Sequence, residues 1–459
     1  MTATTEVLRI LRPRRPRTRR GVELAMLLLA VIIPLAAYTI VGLTRSRHVP
    51  ADVLTYGLGL GAVLVVAHLA VRKFARYADP LLLPCAALLN GLGLVLIHRL
   101  DLAGPKTQRS DATLQLIWSA VGIALFIAVL ALIRDHRRLQ RYMYTSMLMG
   151  LLLLAAPSLL PARFSEINGA RNWIRFAGFS IQPGEFAKIL LVIFVAGFLV
   201  AKRDALALAS RRFLGLNLPR GRDLGPVLVA WLVSVGLLVR GRDIGMSMLF
   251  FGFFVIMLYI ATERFSWVVI GALLFAAGTF GAYHLFGHVR ERFEIWLHPF
   301  RYAQTTGYQL VQALYGFANG GLLGTGLANG RPDLVPFAKS DFIIATIGEE
   351  LGLTGLTAIL LLYVVIVSRG MRAALSVRDA FGKLLAAGLS VSLALQVFVV
   401  VGGVTRLIPL TGITTPFLSY GGSSLVSNWA VIALLLKISD AARRPAPTRI
   451  DDATVVVGS

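Results

Sequence analysis

The charges able to carry chemistry in this sequence are few, and they sit at the edges of long apolar runs. Arg171 and Arg175 stand shortly before Gln182, Glu185 and Lys188, and Lys188 begins an apolar run. Three cations so grouped suit a pyrophosphate, whose negative charge grows as it leaves. A helix start accounts for part of the block. Pro183 fits a first turn, Glu185 complements the N-terminal dipole, and Glu185 and Lys188 can pair on one helix face. It does not account for a lysine entering an apolar helix beneath two arginines.

Carboxylates form a second group. Asp341 follows Lys339 and Ser340 and precedes an apolar run, where it could cap the coming helix or act as a base. Glu349 and Glu350 lie roughly 12 Å further into that run, at about 1.5 Å per helical residue. Charges at that depth cost a few kcal/mol unless they face a polar cavity or a partner. Arg406 is a candidate partner, which would make the pair structural. Ser419, Tyr420 and Ser423 open the last apolar run. Small hydroxylated residues there either pack helices closely or offer hydroxyls and backbone N–H groups to a phosphate. The glycines from Gly320 to Gly330 form either a close-packed re-entrant turn or a ligand contact. No strand leads into them, which excludes a nucleotide-binding fingerprint. No His is placed to activate the serines. His284, His288 and His298 lack metal-site spacing. The lone Cys85 excludes an intramolecular disulfide and a cysteine metal cage.

The elements that must position these groups are membrane helices. The chain has 459 residues, 56% of them hydrophobic, and a mean hydropathy of +0.74. Apolar runs long enough to cross a bilayer as helix recur throughout. Twelve are expected: 22–43, 52–71, 80–98, 114–133, 142–160, 185–201, 224–239, 245–262, 266–287, 342–368, 384–404 and 421–438. Alternating ten-residue segments of a membrane barrel are absent. The fold class is therefore all-α, a polytopic transmembrane bundle of about twelve helices. The net charge of +23 does not call for nucleic acid. Basic clusters at 9–20, 72–76, 134–141, 202–222, 369–383 and the C-terminal tail fall on alternate connections. That bias predicts both termini in the cytoplasm. It leaves two segments outside, 161–184 and 288–341, and the second is long for a compact fold. The tails, 1–21 and 439–459, read as disordered.

Four blocks then occur in order. The first runs from Asn168-Gly169-Ala170-Arg171 to Gln182-Pro183-Gly184-Glu185-Phe186-Ala187-Lys188. Next come Gly307-Tyr308-Gln309 with Gly320-Gly321-Leu322-Leu323-Gly324-Thr325-Gly326, then Lys339-Ser340-Asp341 with Glu349-Glu350-Leu351-Gly352. The last is Pro409-Leu410-Thr411-Gly412 through Ser419-Tyr420-Gly421-Gly422-Ser423-Ser424. Together they resemble the SEDS family (shape, elongation, division and sporulation), over about residues 79–438. Asp79-Pro80 resembles the start of that family's ten-helix core, so 22–78 reads as two additional N-terminal helices. These helices and Gly402-Gly403-Val404-Thr405-Arg406 are closer to an actinobacterial RodA-like branch.

The resemblance implies a peptidoglycan glycosyltransferase that polymerises lipid II during elongation, division or sporulation, beside a class B penicillin-binding protein. A lipid II flippase and a non-catalytic scaffold share the fold. The conspicuous polar blocks gather on one side of the membrane, which favours the enzyme over the flippase. The resemblance also implies a divalent cation, for which the sequence shows no evident site. Family members carry an Asp five residues before the Gly of Gly-Tyr-Gln. Here that position is Tyr302, which stays protonated at neutral pH. The expected base is Asp341, ahead of Glu294 or Glu291. A scaffold that has lost the activity is the other explanation. The expected substrate contacts are Arg171, Arg175, Gln182, Glu185, Lys188, Lys339, Glu349, Ser419, Tyr420 and Ser423.

Overall fold

The computed structural model describes residues 18–104, 110–167, 169–176, 179–202, 211–213, 216–218 and 221–445. Most of the arginine-rich N-terminal tail, most of the basic 202–222 connection and the tail from 446 lie outside the described residues. Ten helices are long and apolar enough to cross a membrane, and two shorter apolar ones accompany them. In chain order they are α1 (Arg20–Ser46), α2 (Val53–Phe74), α3 (Leu82–Asp101), α4 (Asp111–Leu132) and α5 (Met143–Leu159). Then come α6 (Pro183–Ala201), α7 (Gly221–Arg240), α8 (Ile244–Thr262) and α9 (Ser266–Leu285). Among the described residues, the non-spanning helices longer than one turn are α10 (Gly287–Leu297) and α11 (Tyr308–Gly320). The last three spans are α12 (Ile343–Ser376), α13 (Ala380–Val404) and α14 (Gly422–Arg443). Every one of the twelve expected runs is a helix.

Burial sorts centre from rim. In α14, 89% of the most apolar window is buried inside the protein, against 6% in α9, which faces outward. Trp429 of α14 is fully buried, with Phe126 and Phe417 edge-on at 5.7 and 5.4 Å. A Cβ on Gly122 would meet its ring at 2.6 Å, so α4 approaches α14 closely only because that position is glycine. Of the two N-terminal helices, α1 docks on α3, and α2 packs against α4 and α1. Pro34 of α1 lies 2.6 Å from where a Cβ on Gly91 would sit, and Tyr38 stacks on Tyr56 of α2 at 4.6 Å.

Both described ends of the chain lie at one end of the bundle. Arg20 bonds the backbone at Ala75 and Arg76, and Arg443 pairs with Asp79. The opposite, far end carries the segments that the sequence marks as chemically loaded. Residues 161–184 fold into two hairpins, β1 (Glu166–Ile167) with β2 (Ala170–Arg171), and β3 (Ile174–Phe176) with β4 (Phe179–Ile181). The 288–341 stretch contains α10, a 3-10 turn over Pro299–Tyr302 and α11. Two boundaries differ from expectation. Helix α12 starts at Ile343 with Phe342 at its N-cap and no side-chain cap, so Asp341 does not cap it. Helix α14 runs to Arg443, five residues into the expected tail, because Asp440 holds the Tyr77 N–H and Arg444.

Candidate active site

A cleft of about 590 Å³ opens at the far end between α10, the start of α11 and the 336–341 and 410–412 segments. Arg242, His288, Glu291, Arg292, Gln309 and Asp341 line it. Helix α10 is too polar to span and lies across this end, which turns Glu291 and Arg292 inward. Arg292 Nη1 donates to the Leu410 carbonyl at 2.8 Å, fixing the guanidinium. A Cβ on Gly412 would stand 3.5 Å from Asp341 Oδ2 and 3.9 Å from Arg292 Nη2. Carboxylate and guanidinium thus converge on one bare patch of backbone. Burial raises the Asp341 pKa, with the Ser340 hydrogen bond and then Arg292 opposing and Asp243 adding to the rise. His288 is pushed down, by burial first and then by Arg242 and Arg292, so its imidazole is held neutral. A carboxyl shifted towards neutrality beside the fixed Arg292 guanidinium, with Arg242 on the same cleft wall, suits proton transfer coupled to stabilisation of an anion.

Asp341 is delivered to the cleft by residues around it. Lys339 Nζ binds Asp101 at 2.6 Å and Asp111 at 2.7 Å, at the facing ends of α3 and α4. Burial alone would lower the Lys339 pKa, but these two carboxylates raise it. The Tyr420 N–H donates to the Lys339 carbonyl at 2.7 Å, and Ser419 Oγ donates to the Ser340 carbonyl. The Tyr420 phenol is pushed up to about 12, by burial and then by Asp111. Lys339, Ser419 and Tyr420 clamp the segment that carries Asp341; none of them lines the cleft.

The expected three-cation cluster does not form. Lys188 is 1% exposed and donates to Glu185 at 2.9 Å and Gln396 at 2.7 Å. The lysine charge is compensated inside the bundle, in a lattice that includes Ser427 Oγ. Gln182 and Ser423 lie between this lattice and the cleft. The Gln182 N–H donates to Ser423 Oγ at 2.8 Å, and its side chain donates to Asp243 at 3.2 Å. Arg171 binds Glu166 at 3.1 Å on the β1–β2 hairpin, and Arg175 is exposed on β3. The hairpin contributes Gly169 and Ala170 to the cleft instead.

Two further expectations are corrected. Glu349 and Glu350 do not pair with Arg406, which donates to the Trp296 and Leu297 carbonyls at 2.8 Å. Glu350 binds Arg99 of α3 at 2.8 Å, both fully buried, and Glu349 accepts the Arg331 N–H at 2.9 Å. They hold the 320–331 turn against α12, away from the cleft. Glu294 also misses the cleft, where Glu291 stands instead; it accepts from the Tyr302 hydroxyl at 3.0 Å. The position expected to hold an Asp therefore brings a tyrosine to a neighbouring carboxylate.

The sequence reading missed Arg242, Asp243, Arg292 and Arg99. Asp243 caps α8 through the Met246 N–H at 3.0 Å and takes the Asn172 amide at 2.6 Å. Its signal was available: Arg240-Gly241-Arg242-Asp243 puts three charges into a tight turn on the side with fewer basic clusters. No three His, Cys, Asp or Glu side chains converge as a metal cage among the described residues. Both carboxylates on the cleft wall, Asp341 and Glu291, act on the Arg292 guanidinium, so a protein-held divalent cation does not fit this donor set.

Fold and cleft together define a polytopic membrane protein with a cleft lined by carboxylates and arginines at one end. The comparisons with known proteins sharpen that class. A family model described as "Cell cycle protein", covering FtsW, RodA and SpoVE, matches residues 79–444, and the chain belongs to this family. It is 56% identical to the peptidoglycan glycosyltransferase RodA of Mycobacterium bovis, over 94% of this chain and 93% of the relative. Against the RodA of Mycobacterium leprae it is 52% identical, with the same coverage. Among solved structures it is similar to a chain described under "Structural coordination of polymerization and crosslinking by a peptidoglycan synthase complex". There the TM-score is 0.65 at 25% identity, over 80% of this chain and 99% of that one. The Thermus thermophilus rod shape determining protein RodA shares the fold, with a TM-score of 0.55 at 23% identity, over 79% and 96%.

Proposed function

We propose that this chain is a peptidoglycan glycosyltransferase that joins lipid II units into glycan strands at the far-end cleft. The carrying observation is the convergence of Asp341 and Arg292 on the backbone at Gly412, with Arg242 also on the cleft wall. Family membership and the RodA relatives support the reaction class. Asp341 takes the proton from the 4-hydroxyl of the incoming sugar as its oxygen attacks the anomeric carbon of the growing chain. The bond from that carbon to the pyrophosphate oxygen breaks, and the electron pair leaves with undecaprenyl pyrophosphate. Arg242 and Arg292 meet the charge that develops there. The stabilisation of charge on the protein side falls to Arg242 and Arg292.

The basic clusters on the terminal end orient that end to the cytoplasm and the cleft to the outer leaflet, where lipid II is polymerised. A class B penicillin-binding protein is the proposed partner; the similar chain described under a peptidoglycan synthase complex supports it. The test is polymer yield from fluorescent lipid II with that partner present. Arg242→Gln and Arg292→Gln should each cut the yield roughly ten- to a hundredfold, the equivalent of about 1.5–3 kcal/mol of charge-assisted hydrogen bonding. Undiminished yield from both folded variants would refute the leaving-group assignment.

A further inference from the structure

A second cavity lies at the opposite end of the bundle from the cleft. It holds about 1150 Å³ and is lined by Arg19, Arg20, Arg72, Arg76, Arg369 and Arg443. Three of these six arginines have internal work. Arg20 pairs with the fully buried Glu23, which also binds His68 at 2.8 Å. Arg443 and Arg369 both face Asp79. Arg19, Arg72 and Arg76 are exposed and make no ion pair among the described residues. The wall is not uniformly polar, since Val22, Leu24, Pro80 and Leu81 line it too. Val22 and Leu24 are exposed, and below them Leu28, Leu29 and Ile32 continue along α1, each more than half exposed.

The cavity straddles a seam. Arg19, Arg72 and Arg76 come from the two N-terminal helices and the end of α2, ahead of the family match. Arg369 and Arg443 come from the matched segment. Cations facing one another across a seam repel, and a shared anion removes that repulsion. An apolar strip leading away from a cationic cavity at the level where helices leave the membrane fits one kind of molecule. We propose that this cavity binds the anionic headgroup of a membrane phospholipid, whose acyl chains lie along α1. The bound lipid bridges the two N-terminal helices to the rest of the bundle.

The experiment uses the full chain in detergent, with native mass spectrometry to count retained lipid and thermal unfolding to read stabilisation. Dioleoylphosphatidylglycerol should be retained and should raise the melting temperature, and dioleoylphosphatidylcholine should do neither. The Arg19→Gln/Arg72→Gln/Arg76→Gln variant should lose retained phosphatidylglycerol by roughly tenfold or more, since each arginine near an anionic surface contributes appreciably. A control stripped of three exposed arginines at the same end, Arg134→Gln/Arg138→Gln/Arg141→Gln, should lose less than about twofold. Equal losses in the two variants would reduce the cavity to a generally basic surface and overturn the proposal. Equal retention of both lipids by the unsubstituted protein would overturn it without any variant. Stabilisation by inorganic phosphate matching that of phosphatidylglycerol would also overturn it, identifying a site for free anions rather than lipid.

Discussion

Asp341 accepts a proton only as a carboxylate, and opposing influences act on its charge state. Burial favours the neutral acid, and the Ser340 hydrogen bond and then Arg292 favour the ion, with burial prevailing. A base with a raised pKa is active above that value and loses activity as the pH falls through it. The acidic limb of the polymerisation profile should therefore sit above the ordinary aspartate value near 3.9. Arg292→Gln removes one of the two influences that lower the pKa and leaves the Ser340 hydrogen bond, so the residual activity of that variant should show its acidic limb at still higher pH. A limb that stays in place, or moves down, would separate Arg292 from the base. Lys188 makes a different prediction, because its partners are Glu185 and Gln396 inside the bundle. Lys188→Ala strands a buried carboxylate, which costs about 3–5 kcal/mol of stability. Thermal unfolding should show that loss in Lys188→Ala and little change in Arg292→Gln.

Helix α12 and the glycine turn docked on it form an element set away from the cleft. Gly352 has φ +66° and ψ −171°, which breaks the helix where the turn docks. A Cβ on Gly320 would stand 2.0 Å from the Gly348 carbonyl oxygen, so no side chain fits there. Backbone bonds from Thr325 to the Glu349 carbonyl at 2.9 Å and from Gly326 to the Glu350 carbonyl at 3.0 Å close the contact. Arg99 anchors it from α3 through Glu350 and the Gly330 carbonyl, both at 2.8 Å. Arg99→Leu leaves the Glu350 charge buried and unpaired and should lower stability by about 3–5 kcal/mol; Arg99→Leu/Glu350→Leu should recover most of it. A double variant no more stable than the single one would show that the pair does more than neutralise itself. Of this element the sequence displayed the apolar run, the glycines and the buried acids. Their partner was illegible, because Arg99 lies 251 residues away along the chain, just past the expected 80–98 run. Arg406 seemed as suitable until backbone carbonyls of α10 and its end claimed it.

Over the whole molecule, the polar chemistry divides between two ends. The terminal end gathers arginines around Glu23 and Asp79, and the far end gathers the cleft and the buried lattice beneath it. The twelve spans were legible because run length and hydropathy are local properties, and every expected run is helical. The site was legible only in part. Asp341 stands in a block whose order along the chain marked it. Arg292 was hidden in a polar stretch read as loop, and Lys188 looked like a ligand because its partner Gln396 belongs to α13. Charge type and sequence spacing identify which residues are costly to place in a membrane. They do not say which of them face a cavity and which face one another.

The central claim is that Asp341 is the base of a lipid II polymerase. Polymer formation from fluorescent lipid II, by Asp341→Asn, Glu294→Gln and Glu291→Gln beside the unsubstituted chain and its penicillin-binding protein partner, tests it most directly. All variants should be matched for folding by thermal unfolding. Asp341→Asn should lose roughly a hundredfold or more, the usual contribution of a positioned base, while Glu294→Gln keeps most of the activity. Full polymer from Asp341→Asn, with loss confined to Glu294→Gln or Glu291→Gln, would contradict the account.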